Sequence, residues 1–314
     1  MSSAAEPLAP LAELPGVAES VDAVRTAVDR VYGHRVMRRR SNEITSEAAL
    51  RGARGSAALA GADWALEEVR RRTDFGVSGE PRTVGAALRL TAEAGQLLSV
   101  WRQSPLQVLA RLHLLAGGGA EPHEAVGRPR RPGEAVEEPL VQLAVPHADE
   151  VAARLDGLAR ILIESGGAHG TRQSGPGRSL LGPSQGADGG RGVPGPVGGA
   201  ARAGGPAGTP ALVTAAVVHG ELLALRPFRT YNGLVARTAE RIVLVGSGLD
   251  PKAVCPAEAG HAELGRDAYL AALEGYVSGT PAGVAAWIAH CGRAIQLGAR
   301  ESTAVCEALQ RGAA

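Results

Sequence analysis

The stretch that decides the fold is Leu225-Arg226-Pro227-Phe228-Arg229-Thr230-Tyr231-Asn232-Gly233-Leu234-Val235-Ala236-Arg237, continuing to Arg241. An apolar helical run enters it, a short polar turn interrupts it, and a second helical run leaves it. Pro227 removes the α conformation from Arg226, so a helix beginning near Pro210 should stop there. Asn232 is a good N-cap, and the N–H groups that follow it form a natural seat for an anion. Arg237 lies one turn beyond Gly233 on the same face, within reach of that seat. Asn232, Gly233 and Arg237 are therefore the candidate anion or nucleotide-binding residues.

The stretch resembles the signature of the Fic (Fido) family, His-Pro-Phe-x-(Asp/Glu)-Gly-Asn-Gly-Arg-x-x-Arg. Pro227, Phe228, Asn232, Gly233 and Arg237 match it. Four positions depart: Arg226 stands at the family's histidine, Thr230 at its acid, Tyr231 at its first glycine and Leu234 at its first arginine. The resemblance covers residues 45 to 300. It implies a mainly α fold, a helical bundle around a central helix-loop-helix with a short β-hairpin flap. It also implies transfer of AMP from ATP to a protein hydroxyl. There the histidine is the base, the acid holds Mg²⁺, and the last arginine steadies the γ-phosphate.

Working outward, Thr209-Pro210 opens the helix that enters the signature, with Leu212, Ala216, His219 and Leu223 on one face. His219 shares the side of Arg226, but at ~1.5 Å rise per residue it stands about 10 Å back, and a core role suits it better than that of a base. Upstream, Ser56-Ala57-Ala58-Leu59-Ala60-Gly61 is similar to the Ser-x-x-x-Glu-Gly element of self-inhibited Fic proteins, whose glutamate pairs with the last arginine. Ala60 occupies that glutamate's position, and a small-residue helix contact is the plain alternative.

The remaining runs are helical too. Val17, Val21, Val24, Val28 and Val31 follow a single helical face, and Arg38-Arg39-Arg40 reads as its basic C-terminal end. Ser46 to Arg72, Val84 to Trp101, Ser104 to Gly117 and His147 to Ser165 follow. The run from Ser104 to Gly117 is apolar nearly all round, so its His113 reads as a hydrogen-bonded core residue. Leu140 to Pro146 reads as a short strand, and the resemblance makes residues 125–146 the flap that lines up a protein target. Helices are also expected at Asn232 to Ser247, Asp267 to Val277 and Pro281 to Glu301. The domain reading is a disordered 1–15, one helical domain over 16–300 and a tail at 301–314. Within 16–300, the Gly/Ala/Pro-rich tract 166–209 lacks the apolar residues to offset its ordering entropy and is expected to be a disordered insertion.

Composition limits the function classes. Of 314 residues 45% are hydrophobic but only 3% aromatic, so Ala, Leu and Val must build the core. A net charge of +1 gives no pull toward nucleic acid or a membrane surface, and no run has membrane-spanning length. Cys255, Cys291 and Cys306 show neither CxxC nor Cys/His spacing, so no disulfide framework and no metal site are expected, and a reducing cytoplasm fits. Neither a dinucleotide-binding glycine motif after a strand nor a P-loop is present.

Arg226 cannot serve as a base, because a guanidinium stays protonated. Loss of the base alone costs ~10² to 10⁴ in rate, and Thr230 is a poor Mg²⁺ ligand. The favoured expectation is a degenerate, non-catalytic Fic-like domain acting as a binding or regulatory protein, with an unidentified protein partner at the flap. The residues alone establish no cofactor; the resemblance implies ATP and Mg²⁺. The competing expectation is a nucleotidyl transferase whose displaced base is His219 or Tyr231. A minor third is an arginine-rich nucleic-acid binder.

Overall fold

Ala211–Leu225 is apolar on every side, and a helix of that composition is stable only at the centre of a bundle. Leu212, Val213, Val218, Leu222, Leu223 and Leu225 are all buried, each stabilising the fold by roughly 1.5–3 kcal/mol. The computed structural model describes residues 6–119, 121–137, 143–170 and 208–312. In chain order its helices are α1 (Ala9–Ala12), α2 (Val17–Gly33), α3 (Met37–Leu59), α4 (Leu66–Arg71), α5 (Gly79–Glu93), α6 (Leu98–Trp101), α7 (Pro105–Gly117) and α8 (Ala148–Gly170). They continue with α9 (Ala211–Leu225), α10 (Asn232–Gly246), α11 (Ala257–Leu264), α12 (Arg266–Val277) and α13 (Pro281–Gln310), and a 3₁₀ turn at Ala94–Leu97 precedes α6.

Around α9 the bundle closes by pairwise packing. Helix α10 runs against α9, and α13 packs on α2, α9, α11 and α12. Trp287 of α13 donates its indole N–H to the Ala216 carbonyl at 2.8 Å, fixing α13 across the central helix. Small residues set the closest approaches. A Cβ on Gly260 would lie 1.9 Å from the Ala294 carbonyl oxygen, and one on Gly55 would lie 2.6 Å from that of Glu258. Helix α11 is thus wedged between α3 and α13 at backbone distance.

Several expectations change. Helix α2 ends at Gly33, so Arg38-Arg39-Arg40 opens α3 rather than closing the preceding helix. Arg40 leaves the helical region (φ −125°, ψ 28°), and its guanidinium pairs with Glu43 and donates to the Leu309 carbonyl. These contacts compensate for positive charge at the end of the macrodipole that disfavours it. Residues 6–15 are ordered: Leu8 is buried, and the Glu6 carboxylate accepts the Thr209 N–H at 2.8 Å. The expected tail from 301 is instead helical to Gln310, because Ser302 and Cys306 continue the buried face of α13. Helix α11 was not foreseen, its eight residues being too few to display a period.

Among the described residues there is no strand, so the β-hairpin flap is not seen. Residues 143–146 are irregular, and 138–142 lie outside the described residues. The same holds for 171–207, on which most of the expected disordered tract falls; α8 itself extends to Gly170. No helix among the described residues is long and apolar enough to cross a membrane.

Candidate functional site

Helix α9 ends where Pro227 requires. Arg226 is its C-cap in the left-handed region (φ 43°, ψ 64°), with its N–H bonded to the Leu222 carbonyl at 3.0 Å. The turn ends on a second left-handed residue, Tyr231 (φ 60°, ψ 16°), which occupies the N-cap position of α10. Asn232 is therefore the first helical residue and not the cap. Its side chain turns back instead: Oδ1 accepts the Phe228 N–H and Nδ2 donates to the Phe228 carbonyl, both at 2.8 Å. This pair closes the loop as a backbone turn would. Asn232 and Gly233 are both buried.

Arg226, at the position of the family's base, is buried and uses its guanidinium on backbone. Nη2 donates to the carbonyls of Leu143 (2.9 Å) and Ala144 (2.7 Å). Arg130 extends the clamp, its Nε donating to the Arg226 carbonyl at 3.1 Å and its Nη2 to that of Pro146. Two backbone bonds lay the same segment over the turn: Arg130 N–H to the Pro227 carbonyl at 2.7 Å, and Glu137 N–H to the Arg229 carbonyl at 2.8 Å. The segment expected to be the flap thus sits against the signature turn without forming a strand among its described residues.

Arg237 is fully buried. Its Nε donates to the Ser56 hydroxyl and its Nη2 to the Ser56 carbonyl, each at 2.9 Å, while Nη1 reaches the Tyr269 hydroxyl at 3.4 Å. No ion pair of Arg237 with Glu240 or Glu221 forms. Glu221 binds Arg154 and the Tyr276 hydroxyl, and Glu240 faces His219 and His261. The upstream element and the last arginine meet through Ser56, not through the position of the family's glutamate. Ser56 supplies the partner atoms, and Ala60 is the C-cap of α3.

Tyr231 and Thr230 are occupied by neighbours as well. Arg82 of α5 donates through Nε to the Tyr231 hydroxyl, stands 5.1 Å from its ring centroid and pairs with Glu121. The Thr230 hydroxyl lies 3.5 Å from His113 Nε2. His113 is the satisfied core histidine expected: its ring stacks on Phe228 at 4.2 Å and its Nδ1 accepts the Gly127 N–H at 3.1 Å. Burial holds its pKa down at about 4.

These residues do not fit a Mg²⁺ site. The cation needs carboxylate or phosphate oxygens. Thr230 offers one hydroxyl facing an imidazole, and Arg226 and Arg130 bring positive charge to the turn. His219 fits no better as a base at the turn. It is fully buried beside Glu240, with Nε2 2.7 Å from the Tyr269 hydroxyl. Sequence reading missed its companions Glu240, His261 and Cys291, and also the buried pair of Arg241 with Glu258 (2.7 and 2.8 Å). They stand on different helices, and only the fold brings them together.

The architecture recurs in solved structures. A Fic family protein from Desulfovibrio desulfuricans superposes with a TM-score of 0.59 at 18% identity, covering 93% of this chain and 75% of that one. Fic-1 from C. elegans gives 0.55 at 14% identity, covering 92% and 72%. A Glu-to-Gly variant of that protein gives 0.54 at 17%, covering 90% and 71%. No protein-family model and no curated protein matches the sequence. At these identities the likeness is one of fold: the chain is built on the architecture of Fic family proteins.

Proposed function

We propose that this chain is a Fic-like domain with a degenerate signature that acts as a binding or regulatory protein and not as a nucleotidyl transferase. The observation that carries the reading is Arg226, a permanent cation at the position of the family's base that is bonded to the carbonyls of Leu143 and Ala144. A group that cannot accept a proton does no general-base work. The other positions agree with it: Thr230 faces His113, Tyr231 is held by Arg82, and Arg237 is spent on Ser56. The anion seat at Asn232, Gly233 and Arg237 belongs to this reading as a vestige that no longer takes ATP.

The partner in this reading is a protein, engaged by the segment 125–146, whose described residues Arg130, Glu137, Leu143 and Ala144 bond to the turn. A reducing cytoplasm suits its three free, buried cysteines. The test is incubation with Mg²⁺ and ATP labelled at the α-phosphate, alone and in a lysate of the source. The expected result is no label on the chain or on any other protein. Mg²⁺-dependent label that disappears with Arg237→Ala would sink the proposal and revive the transferase.

A further inference from the structure

Behind the signature turn, four helices each send one metal-ligating side chain to a single point. His219 comes from α9, Glu240 from α10, His261 from α11 and Cys291 from α13, and all four are fully buried. One potential ligand atom from each lies within 4.8 Å of all the others. We propose that this cluster is a structural site for a zinc-class divalent cation, coordinated by His219 Nδ1, His261 Nε2, a Glu240 carboxylate oxygen and Cys291 Sγ.

Direct hydrogen bonding accounts for only part of the cluster: His261 Nε2 is bonded to Glu240 Oε2 at 3.1 Å. Glu240 Oε2 is 2.9 Å from His219 Nδ1, yet that nitrogen has no hydrogen-bond partner, so the oxygen lies off the direction a ring N–H would take. His261 Nδ1 is likewise unpartnered. Buried polar atoms are nearly always satisfied, and a buried nitrogen 2.9 Å from a carboxylate oxygen without a hydrogen bond to it stands as two ligands of one cation would.

The donor set fits. Zinc takes imidazole nitrogen, thiolate sulfur and carboxylate oxygen in four-coordinate sites, and a structural site is closed by four protein ligands. One thiolate and one carboxylate neutralise a dication, so the occupied centre carries no net charge into the core. With bonds of about 2.0–2.3 Å, a tetrahedral ion separates its ligand atoms by roughly 3.3–3.8 Å, so closing the cluster takes only side-chain adjustments. A ligating histidine commonly has its other nitrogen held by a polar neighbour. The Tyr269 hydroxyl does this at 2.7 Å from His219 Nε2, and Arg237 Nη1 stands 3.4 Å from that hydroxyl. The ion would therefore tie α9, α10, α11 and α13 together directly beneath the last arginine of the turn. Full burial leaves no place for substrate, which makes the site structural.

The test is the metal content of the full chain purified from zinc-supplemented cells, followed by refolding of the demetallated protein with Co²⁺. About one zinc per chain is expected, along with a thiolate-to-cobalt charge-transfer band. Cys291→Ser should abolish the band and Cys306→Ser should keep it. If Cys291→Ser does not fold, X-ray absorption at the zinc edge of the wild type decides, with one sulfur and three nitrogen or oxygen neighbours expected. A folded wild type with less than about a tenth of an equivalent of metal and no cobalt band overturns the assignment. So does a band that survives Cys291→Ser, or a zinc edge without a single sulfur neighbour.

Discussion

Arg237 and Ser56, 181 positions apart, form a two-pronged contact in which the guanidinium takes both the hydroxyl and the carbonyl of the serine at 2.9 Å. Because the arginine is fully buried, that contact is not an incidental surface pair. It joins α10 to α3 and uses the side chain that the resemblance would assign to a phosphate.

Ser56→Ala should therefore weaken the fold. The variant leaves a buried, charged donor short of one acceptor, at a cost of about 1–3 kcal/mol. Urea denaturation should show a lower midpoint with an unchanged slope. An unmoved midpoint would mean that the contact carries no stability.

Arg226→His restores the family's base and should restore nothing else. Thr230, Tyr231 and Leu234 still depart from the signature, and the clamp on Leu143 and Ala144 is lost. Label from ATP should remain absent from protein in this variant. Transfer by the single mutant would show that the site lacks only its base.

The buried pair of Arg241 with Glu258 gives a sharper stability test. Removing one partner strands the other charge in the core, which typically costs about 3–5 kcal/mol. Arg241→Met should destabilise strongly, while Arg241→Met with Glu258→Leu should recover much of the loss. A double variant as unstable as the single one would argue against the pairing as the cause.

His113 predicts acid sensitivity. Its pKa is pushed down to about 4 by burial, from 6.5 in the unfolded chain. Between those values the unfolded chain takes up a proton that the folded chain refuses. The contribution is therefore fully present above pH 6.5 and lost as pH falls toward 4, at about 1.4 kcal/mol per unit, or about 3 kcal/mol in all. His113→Leu should flatten the fall in unfolding free energy across this window. An unchanged pH profile would assign the acid sensitivity elsewhere.

The helices and the turn were legible because their signals are local. The valine stripe of α2, the all-round apolar α7 and the Pro227 stop each depend on residues a few positions apart. The end of α2 was misread because Arg38-Arg39-Arg40 suits a helix C-terminus by charge, while the chain breaks earlier, at Gly33-His34. Asn232 was misplaced by one residue because Tyr231 adopts a left-handed conformation that costs a side chain about 1–2 kcal/mol and that composition does not announce. The contacts of Arg237 with Ser56 and of Glu240 with His219 and His261 span long separations. Reading them required the fold, and α11, which delivers His261 and Glu258, is too short to have been seen.

Titration calorimetry with ATP, with and without Mg²⁺, tests most directly whether the turn is filled by the chain's own side chains. No saturable heat is expected up to millimolar ATP in the wild type. Saturable binding below that range, strengthened by Mg²⁺ and weakened by Arg237→Ala, would contradict it, because Arg237 would then have to leave Ser56 for the nucleotide.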